Sequence, residues 1–371
     1  MTCFLIAGEA SGDLHAAHLI EQLRLRDASL RFVGLGGDKM REAGCQLYVD
    51  YRNMAYMGVV EVFKHSYAIG LNMEMTRQSL LKERPEILIL IDYPTFNMQV
   101  ALFCRRHLPN TRIIYYIPPK IWAWKTWRVR LMARIIDQVL GIFPFEEAFY
   151  ARYGVECTYV GNPTMDCILA YRQEHPVVQP SRTIALLPGS RKSEISHCLP
   201  TMLAAAARYR DYQVVVVAAP GVDDSFYTPL LAESSCPVSL TREPYDALSM
   251  ATAAVVNSGT ATLEAALIGC PQVAVYHVAC GRLLGLLRPL MFHLPWFTLP
   301  NIIAGRMVIR ELIAYLFTED AVAEELGYLL HNQDYRSRMK RDYQEIAAIL
   351  GTAPSAETAA SLILNKASGT L

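Results

Sequence analysis

Cys3-Phe4-Leu5-Ile6-Ala7-Gly8-Glu9-Ala10-Ser11-Gly12-Asp13 passes from an apolar run through a glycine turn into a helical stripe carried by Leu14, Leu19, Ile20 and Leu23. A short apolar run closed by a turn reads as a strand buried on both faces, and a helix directly behind it opens a parallel βα unit. Arg31 to Leu35, Glu86 to Ile91, Arg112 to Ile117 and Gln138 to Phe143 repeat the run, with amphipathic stretches mostly between them. The layout is parallel α/β.

The pattern pauses at Tyr171 to Arg182, a polar stretch containing Pro176 and Pro180, which reads as a linker. It restarts with Thr183 to Leu187 and Pro188-Gly189-Ser190-Arg191, then continues through Gln213 to Ala218, Pro237 to Leu240, Ala253 to Val256 and Gln272 to Tyr276. From Val308 to about Lys366 the chain reads as helical and charged, with breaks near Thr318, Gln333 and Thr352 to Pro354. A length of 371 residues fits two domains at about 100–200 residues each. The expectation is two facing Rossmann-like domains, residues 1–172 and 183–350, with a C-terminal helical tail, residues 351–371, packing back on the first. Open α/β sheets bind ligands beyond the carboxyl ends of their strands, so two of them facing each other form a cleft suited to two substrates.

Composition narrows the function. Lys plus Arg and Asp plus Glu both number 35, which disfavours a dedicated nucleic-acid binder, and 52% hydrophobic content excludes wholesale disorder. No uninterrupted apolar stretch reaches the roughly eighteen residues of a spanning helix, because Arg288, Pro289, His293 and Pro295 break Leu283 to Leu299. Met1 runs directly into Phe4-Leu5-Ile6-Ala7 with no basic segment before it, so no secretory signal is expected and a cytoplasmic location is. Nine scattered cysteines without a Cys-x-x-Cys pair point to core residues rather than disulfides or a zinc ribbon. The adjacent acids Asp223-Asp224 and Glu319-Asp320 have no metal-ligand spacing, so neither metal nor cofactor is expected.

Four turns are candidate anion sites. Gly8, Glu9, Ser11 and Gly12 expose backbone N–H groups at a helix start, and Gly34, Gly36 and Gly37 form a second turn of that kind. Ser190 and Arg191 open a third helix close to Glu194, where a guanidinium can hold a diphosphate in a bidentate fork. Ser258, Gly259 and Thr260 open a fourth, with Glu264 one turn in, although Ser258 is equally a plain N-cap. Two such starts in one domain favour a nucleotide diphosphate. Asp92, at the end of the apolar run Ile87 to Ile91, is either a turn cap before Pro94 or a general base.

Two stretches are basic and apolar without any acid. One is Pro119 to Ile136, with Lys120, Lys125, Arg128, Arg130 and Arg134 among Trp122, Trp124 and Trp127. The other is Ala265 to Arg310, where Arg282, Arg288, Arg306 and Arg310 sit among Leu286, Phe292, Trp296 and other apolar residues. Either is ordinary core with solvated arginines or the mixture that meets anionic lipid at a membrane interface.

Gly8-Glu9-Ala10-Ser11-Gly12-Asp13, Met57-Gly58-Val59-Val60-Glu61-Val62, Ile91 to Asn97, Trp122-Ala123-Trp124, Leu187 to Arg191, Ser258 to Glu264 and Leu299-Pro300-Asn301, in this order, resemble the lipid-A-disaccharide synthases from Phe4 to about Leu316. The resemblance implies a metal-independent, inverting GT-B glycosyltransferase on the inner membrane of a Gram-negative bacterium, attached peripherally from the cytoplasm. Its donor would be a UDP-linked 2,3-diacylglucosamine and its acceptor 2,3-diacylglucosamine 1-phosphate, giving a β-1,6 disaccharide and UDP. It implies an essential aspartate at Asp92, an essential arginine near the diphosphate at Arg191, and a nucleotide pocket with Asn301, Arg306, Glu311, Ser258, Thr260 and Glu264. The acyl-chain and membrane surface would be Trp122, Trp124, Trp127, Arg128, Arg282, Leu286, Arg288 and Trp296. Lys120, Asn162 and Ala314 stand where many members have serine, histidine and glutamine. Rival readings are another UDP-sugar enzyme of this fold, such as a peptidoglycan glycosyltransferase or a UDP-GlcNAc epimerase, and a non-catalytic lipid- or nucleotide-binding protein. The sequence is compatible with a homodimer.

Overall fold

The computed structural model describes residues 1–54, 61–122, 127–176, 179–277 and 295–365. The chain divides into two compact units, Met1–Pro163 with Thr352–Leu371, and Thr164–Gly351.

The first unit carries β1 (Thr2–Ala7), β2 (Arg31–Gly36), β3 (Gln46–Asp50), β4 (Ile87–Ile91), β5 (Arg112–Tyr116), β6 (Gln138–Gly141) and β7 (Cys157–Tyr159). They form one parallel sheet in the order β3-β2-β1-β4-β5-β6-β7. Alternate residues of its central strands enter two cores. Phe4, Ile6, Leu88 and Leu90 go to one face, and Cys3, Leu5, Ile87 and Ile89 to the other. Each fully buried aliphatic side chain contributes about 1.5–3 kcal/mol, which is why β4 contains no polar residue and β1 only the half-buried Thr2 at its start. The second unit repeats the plan with β8 (Thr183–Leu187), β9 (Gln213–Val217), β10 (Val238–Thr241), β11 (Ala253–Asn257), β12 (Gln272–Tyr276) and β13 (Glu311–Ile313), ordered β10-β9-β8-β11-β12-β13.

Both sheets reverse their strand order once, between β1 and β4 and between β8 and β11. Register fixes what stands at those reversals. Ala7 pairs with Ile91 and Ile91 with Tyr116, so the turns after β1, β4 and β5 share one edge. Val256 pairs with Leu187 and Asn257 with Val275, which brings the turns after β8, β11 and β12 to one edge of the second sheet.

The structure differs from the sequence reading in three edge strands and in the division between units. The strands β3, β7 and β13 were not expected, and β13 lies in a stretch read as helical. All three are partly exposed edge strands, so they lack the apolar run that marks a central strand. The division between units falls at Pro163, before the stretch taken as a linker. Helix Pro163–Glu174 runs into that stretch and is tied to the second unit, the Tyr171 hydroxyl donating to Asp246 Oδ1 at 2.7 Å and Arg172 Nη2 to the Leu267 carbonyl at 2.7 Å.

The tail helix Ser355–Asn365 belongs to the first unit. Ala359, Ala360 and Ile363 are fully buried in the core that also holds Leu19 and Leu23 of helix Ala10–Arg26. Arg26 Nη2 pairs with Glu357 Oε1 at 3.2 Å, and Arg112 Nη1 donates to the Ile363 carbonyl at 2.8 Å. Among the described residues, only residues 333–365 have the length and apolarity of a membrane span. That stretch is two helices, Gln333–Leu350 and Ser355–Asn365, parted at Gly351 (φ +62°), and each buries its apolar face within a unit. Among the described residues the cysteines are free.

Ile363→Ala should therefore cost about 2–5 kcal/mol, read as a lower urea midpoint for the first unit. An unchanged midpoint would mean that the tail helix does not stay docked in solution.

Candidate active site

At the reversal of the first sheet, Gly8 and Glu9 follow β1 while Asp92 and Tyr93 follow β4. A Cβ on Gly8 would collide with the Tyr93 ring, so this close approach requires glycine. Asp92 and Tyr93 both have left-handed backbones, at φ +44° and +46°, as does Ile117 after β5 at φ +58°. Each such residue is strained by about 1–3 kcal/mol and persists only where its surroundings over-determine it. Here the Asp92 N–H donates to the Ile117 carbonyl at 3.1 Å, coupling the two turns. The Asp92 carbonyl accepts from the Tyr115 hydroxyl at 2.6 Å and from Asn97 Nδ2 at 2.7 Å. Tyr115 and Asn97 are fully buried, and burial pushes the Tyr115 hydroxyl well above its ordinary range, so it stays protonated and donating.

The Asp92 side chain is half-buried. Burial pushes its carboxyl up to about 6, with the Glu9 charge adding to the rise, while Lys120 and the Tyr93 backbone N–H pull the other way. A carboxylate poised near neutrality in a sheet crevice can take a proton from a ligand. Glu9 is exposed and accepts from Ser11 Oγ at 2.8 Å. Asp13 is different: it is 3% exposed and accepts from the backbone N–H groups of Gly37, Lys39 and Met40 at 2.7, 3.0 and 3.2 Å. It anchors the turn at Gly36 and Gly37 and is closed to chemistry.

In the second unit Gly189 stands at φ +127°, and a Cβ there would lie 2.7 Å from Glu194 and 2.8 Å from Asn257 Nδ2. Glu194 reaches back to the Ser190 N–H at 2.9 Å and holds Arg191 Nη1 at 3.3 Å. It thereby fixes the start of helix Lys192–Ala206, leaving the Arg191 side chain 61% exposed. Across the reversal, Ser258 and Gly259 lead into helix Thr260–Ile268, and a Cβ on Gly259 would meet open space. Glu264, one turn in, has no hydrogen-bond partner among the described residues, and burial raises its carboxyl. It acts electrostatically on Tyr245 and Cys167.

Asn301, Glu311 and Arg306 each bond to partners within the second unit. Asn301 is fully buried, donates to the Ile309 carbonyl and to Glu311 Oε1 at 2.9 Å each, and accepts from the N–H groups of Val308 and Ile309. Glu311 also accepts from Thr298, through its N–H at 2.9 Å and its hydroxyl at 2.8 Å, and so caps helix Leu299–Ala304. Arg306 pairs with Asp342 and Glu345 at 2.6 Å. Asn301 and Glu311 thereby shape the loop and the helix start, while the Arg306 side chain stays 45% exposed.

The basic and apolar stretches separate as well. Trp122 is not at the surface: it is 5% exposed, donates Nε1 to Glu146 Oε1 at 3.0 Å and packs edge-on against Phe143 and Phe145. Burial pushes the Glu146 carboxyl up to about 7, against the three N–H donors from Phe143, Trp122 and Ile142 that favour its charge. The sequence reading missed this acid, for which Glu146 in Phe145-Glu146-Glu147 gives no signal. Trp127 is 63% exposed under the Arg128 guanidinium, 5.6 Å from its ring centroid, and Trp296 is half-buried. Trp124, Arg282, Leu286 and Arg288 lie outside the described residues, as do Met57 to Val60. Asn162 is buried and donates to the Ile142 carbonyl at 2.9 Å.

Residues 3–365 match the model of a family described as Lipid-A-disaccharide synthetase. A lipid-A-disaccharide synthase of Geobacter sulfurreducens is 36% identical over 97% of this chain and 96% of its own length. One of Myxococcus xanthus is 35% identical over the same shares. Among solved structures, the calicheamicin glycosyltransferase CalG4 superposes with a TM-score of 0.62 at 14% identity, covering 100% of this chain and 98% of that one. The UDP-GlcNAc 2-epimerase of Neisseria meningitidis bound to UDP-GlcNAc superposes at 0.60 and 13%, covering 100% of both. At such identities these structures share the GT-B fold and carry no more.

Asp13→Ala would leave three backbone N–H groups without an acceptor, at about 1–3 kcal/mol each when buried. The unfolding free energy should drop by more than about 2 kcal/mol. A variant of wild-type stability would mean that these bonds do not hold the turn and that Asp13 is open to chemistry.

Proposed function

The chain belongs to the lipid-A-disaccharide synthetase family, and on that premise we propose that Asp92 takes the acceptor's proton while Arg191 holds the diphosphate that leaves. The protein is a glycosyltransferase that forms the lipid A disaccharide from a UDP-sugar and a lipid substrate. The donor in this proposal is UDP-2,3-diacylglucosamine and the acceptor 2,3-diacylglucosamine 1-phosphate. The acceptor's 6-hydroxyl oxygen bonds to the donor's anomeric carbon from the face opposite UDP, the bond from that carbon to the diphosphate oxygen breaks, and Asp92 receives the hydroxyl proton. A hydroxyl is a poor nucleophile until a base within hydrogen-bond reach accepts its proton.

What supports Asp92 is its backbone, held in a strained turn by Tyr115 and Asn97, together with a carboxyl raised to about 6. The helix starts at Ser190-Arg191 and at Ser258-Gly259-Thr260 supply oriented N–H groups and a guanidinium for the departing UDP, preorganised charge of the kind that contributes most to such reactions. Glu264, a carboxylate without a partner among the described residues, suits the ribose hydroxyls. Gly8, Glu9, Ser11 and Gly12 line the acceptor side beside Asp92.

We further propose peripheral attachment to the cytoplasmic face of the inner membrane. Helix Arg128–Ile135 buries Val129, Met132 and Ile135 and leaves Arg130 and Arg134 exposed next to Trp127, with no acid paired to these arginines among the described residues. Each cation near an anionic surface contributes on the order of 1 kcal/mol, screened by salt.

Three measurements test these roles. Asp92→Asn should lower turnover by about 10²- to 10⁴-fold while UDP still binds. Because the base acts as its carboxylate and its pKa is raised, wild-type kcat should fall about tenfold per pH unit below about 6, and the asparagine variant should lose that limb. Retained turnover, or lost UDP binding, would move the base elsewhere. For attachment, high salt should release the wild-type protein from anionic vesicles; retention in high salt would exclude an electrostatic interface.

A further inference from the structure

β5 ends at Tyr116, and the chain then runs Ile117-Pro118-Pro119-Lys120-Ile121-Trp122. This loop is fixed on both sides of Lys120. Before it, the Ile117 carbonyl accepts from the Asp92 N–H at 3.1 Å and the Ile117 N–H donates to the Leu140 carbonyl at 3.2 Å, while two prolines lock the next two φ angles. After it, the Ile121 N–H closes a tight turn onto the Pro119 carbonyl at 2.6 Å, and Ile121 and Trp122 are 3% and 5% exposed. The Trp122 ring is anchored by its bond to Glu146.

Lys120 is therefore the exposed tip of a rigid loop on the same edge of the sheet as Asp92 and Glu9. It forms no ion pair among the described residues, in a protein whose surface arginines are commonly paired, as Arg52, Arg208 and Arg306 are. Its charge opposes the burial-driven rise of both the Asp92 and the Glu146 carboxyls. A cation on a stiff backbone, bonded to no carboxylate, is available to an anionic ligand group, and the fixed loop leaves only the side chain to be ordered on binding.

We propose that Lys120 binds the phosphate monoester of the acceptor and so selects a phosphorylated over an unphosphorylated acceptor sugar. This rests on the acceptor assigned above, whose one anionic group is that phosphate. Glu9 and Asp92 would repel the phosphate, and Lys120 is a cation at this edge that offsets them. The flexible four-carbon stem reaches a group on the far side of the sugar from the attacking hydroxyl, a contact that needs a point charge rather than a fork.

The test is steady-state transfer with the phosphorylated acceptor and with its dephosphorylated counterpart, for wild type, Lys120→Met and Lys120→Arg. Lys120→Met should raise KM for the phosphorylated acceptor by roughly 10- to 100-fold, leave KM for the UDP-sugar unchanged, and abolish the preference for the phosphate. Lys120→Arg should restore most of the preference, and thermal midpoints should match because the side chain is exposed. An equal loss with both acceptors, or a shift of the acidic limb with the preference intact, would make Lys120 a tuner of Asp92 and overturn the proposal alone. Unchanged preference would make it a solvated surface lysine. Wild-type protein that forms no disaccharide would overturn the acceptor assignment and this proposal with it.

Discussion

The parallel pairing of β1 with β4 is the constraint on which the first unit depends. Ala7 and Ile91 end in register, and from that line β2 and β3 extend one way while β5, β6 and β7 extend the other. Chain reversals on opposite sides of one line leave a crevice that no connection crosses. The pairing is enforced by burial on both faces, since shifting either strand by one residue would exchange its two cores. The second unit meets the same requirement with β8 and β11, and there too the helix starts that suit an anion flank the reversal.

That constraint also explains why strain collects where it does. Asp92, Tyr93 and Ile117 leave their strands with positive φ, and the hydrogen bonds that hold them come from buried residues of the same sheet and the following helix. Rigid strands on either side turn a local conformational cost into a fixed carboxylate. The adjacent turn after β1 can approach because Gly8 has no side chain to meet Tyr93.

The acids of the molecule fall into two groups by what surrounds them. Asp13, Glu146 and Glu311 are each filled by N–H donors and hold a turn or a helix start in place. Asp92 and Glu264 are half-buried without such a set of donors, and burial raises both, as it also raises the donor-filled Glu146. A buried carboxylate with its donors in place is an anchor, and one without them is available to a ligand. Asp13 and Glu9 stand close in sequence and in one motif, yet only Glu9 remains open to solvent.

The sequence by itself determined the central strands, the glycine turns behind them and the doubled α/β plan, because burial on two faces demands unbroken apolar runs and tight turns demand glycine. It also identified the family, through motifs whose order is specific although each is not, and Asp92 and Arg191 as residues at strand ends. It did not reveal β3, β7 and β13, whose half-exposed faces leave no apolar signature. It could not separate Trp122, buried against Glu146, from Trp127, which is exposed, because the two stand alike in one basic and aromatic stretch. Nor could it show that Asn301, Glu311 and Arg306 bond within the fold, or that Lys120 bonds to no acid among the described residues. Such bonds depend on partners distant in sequence, such as Asp342 for Arg306, and only the packed chain brings those partners together.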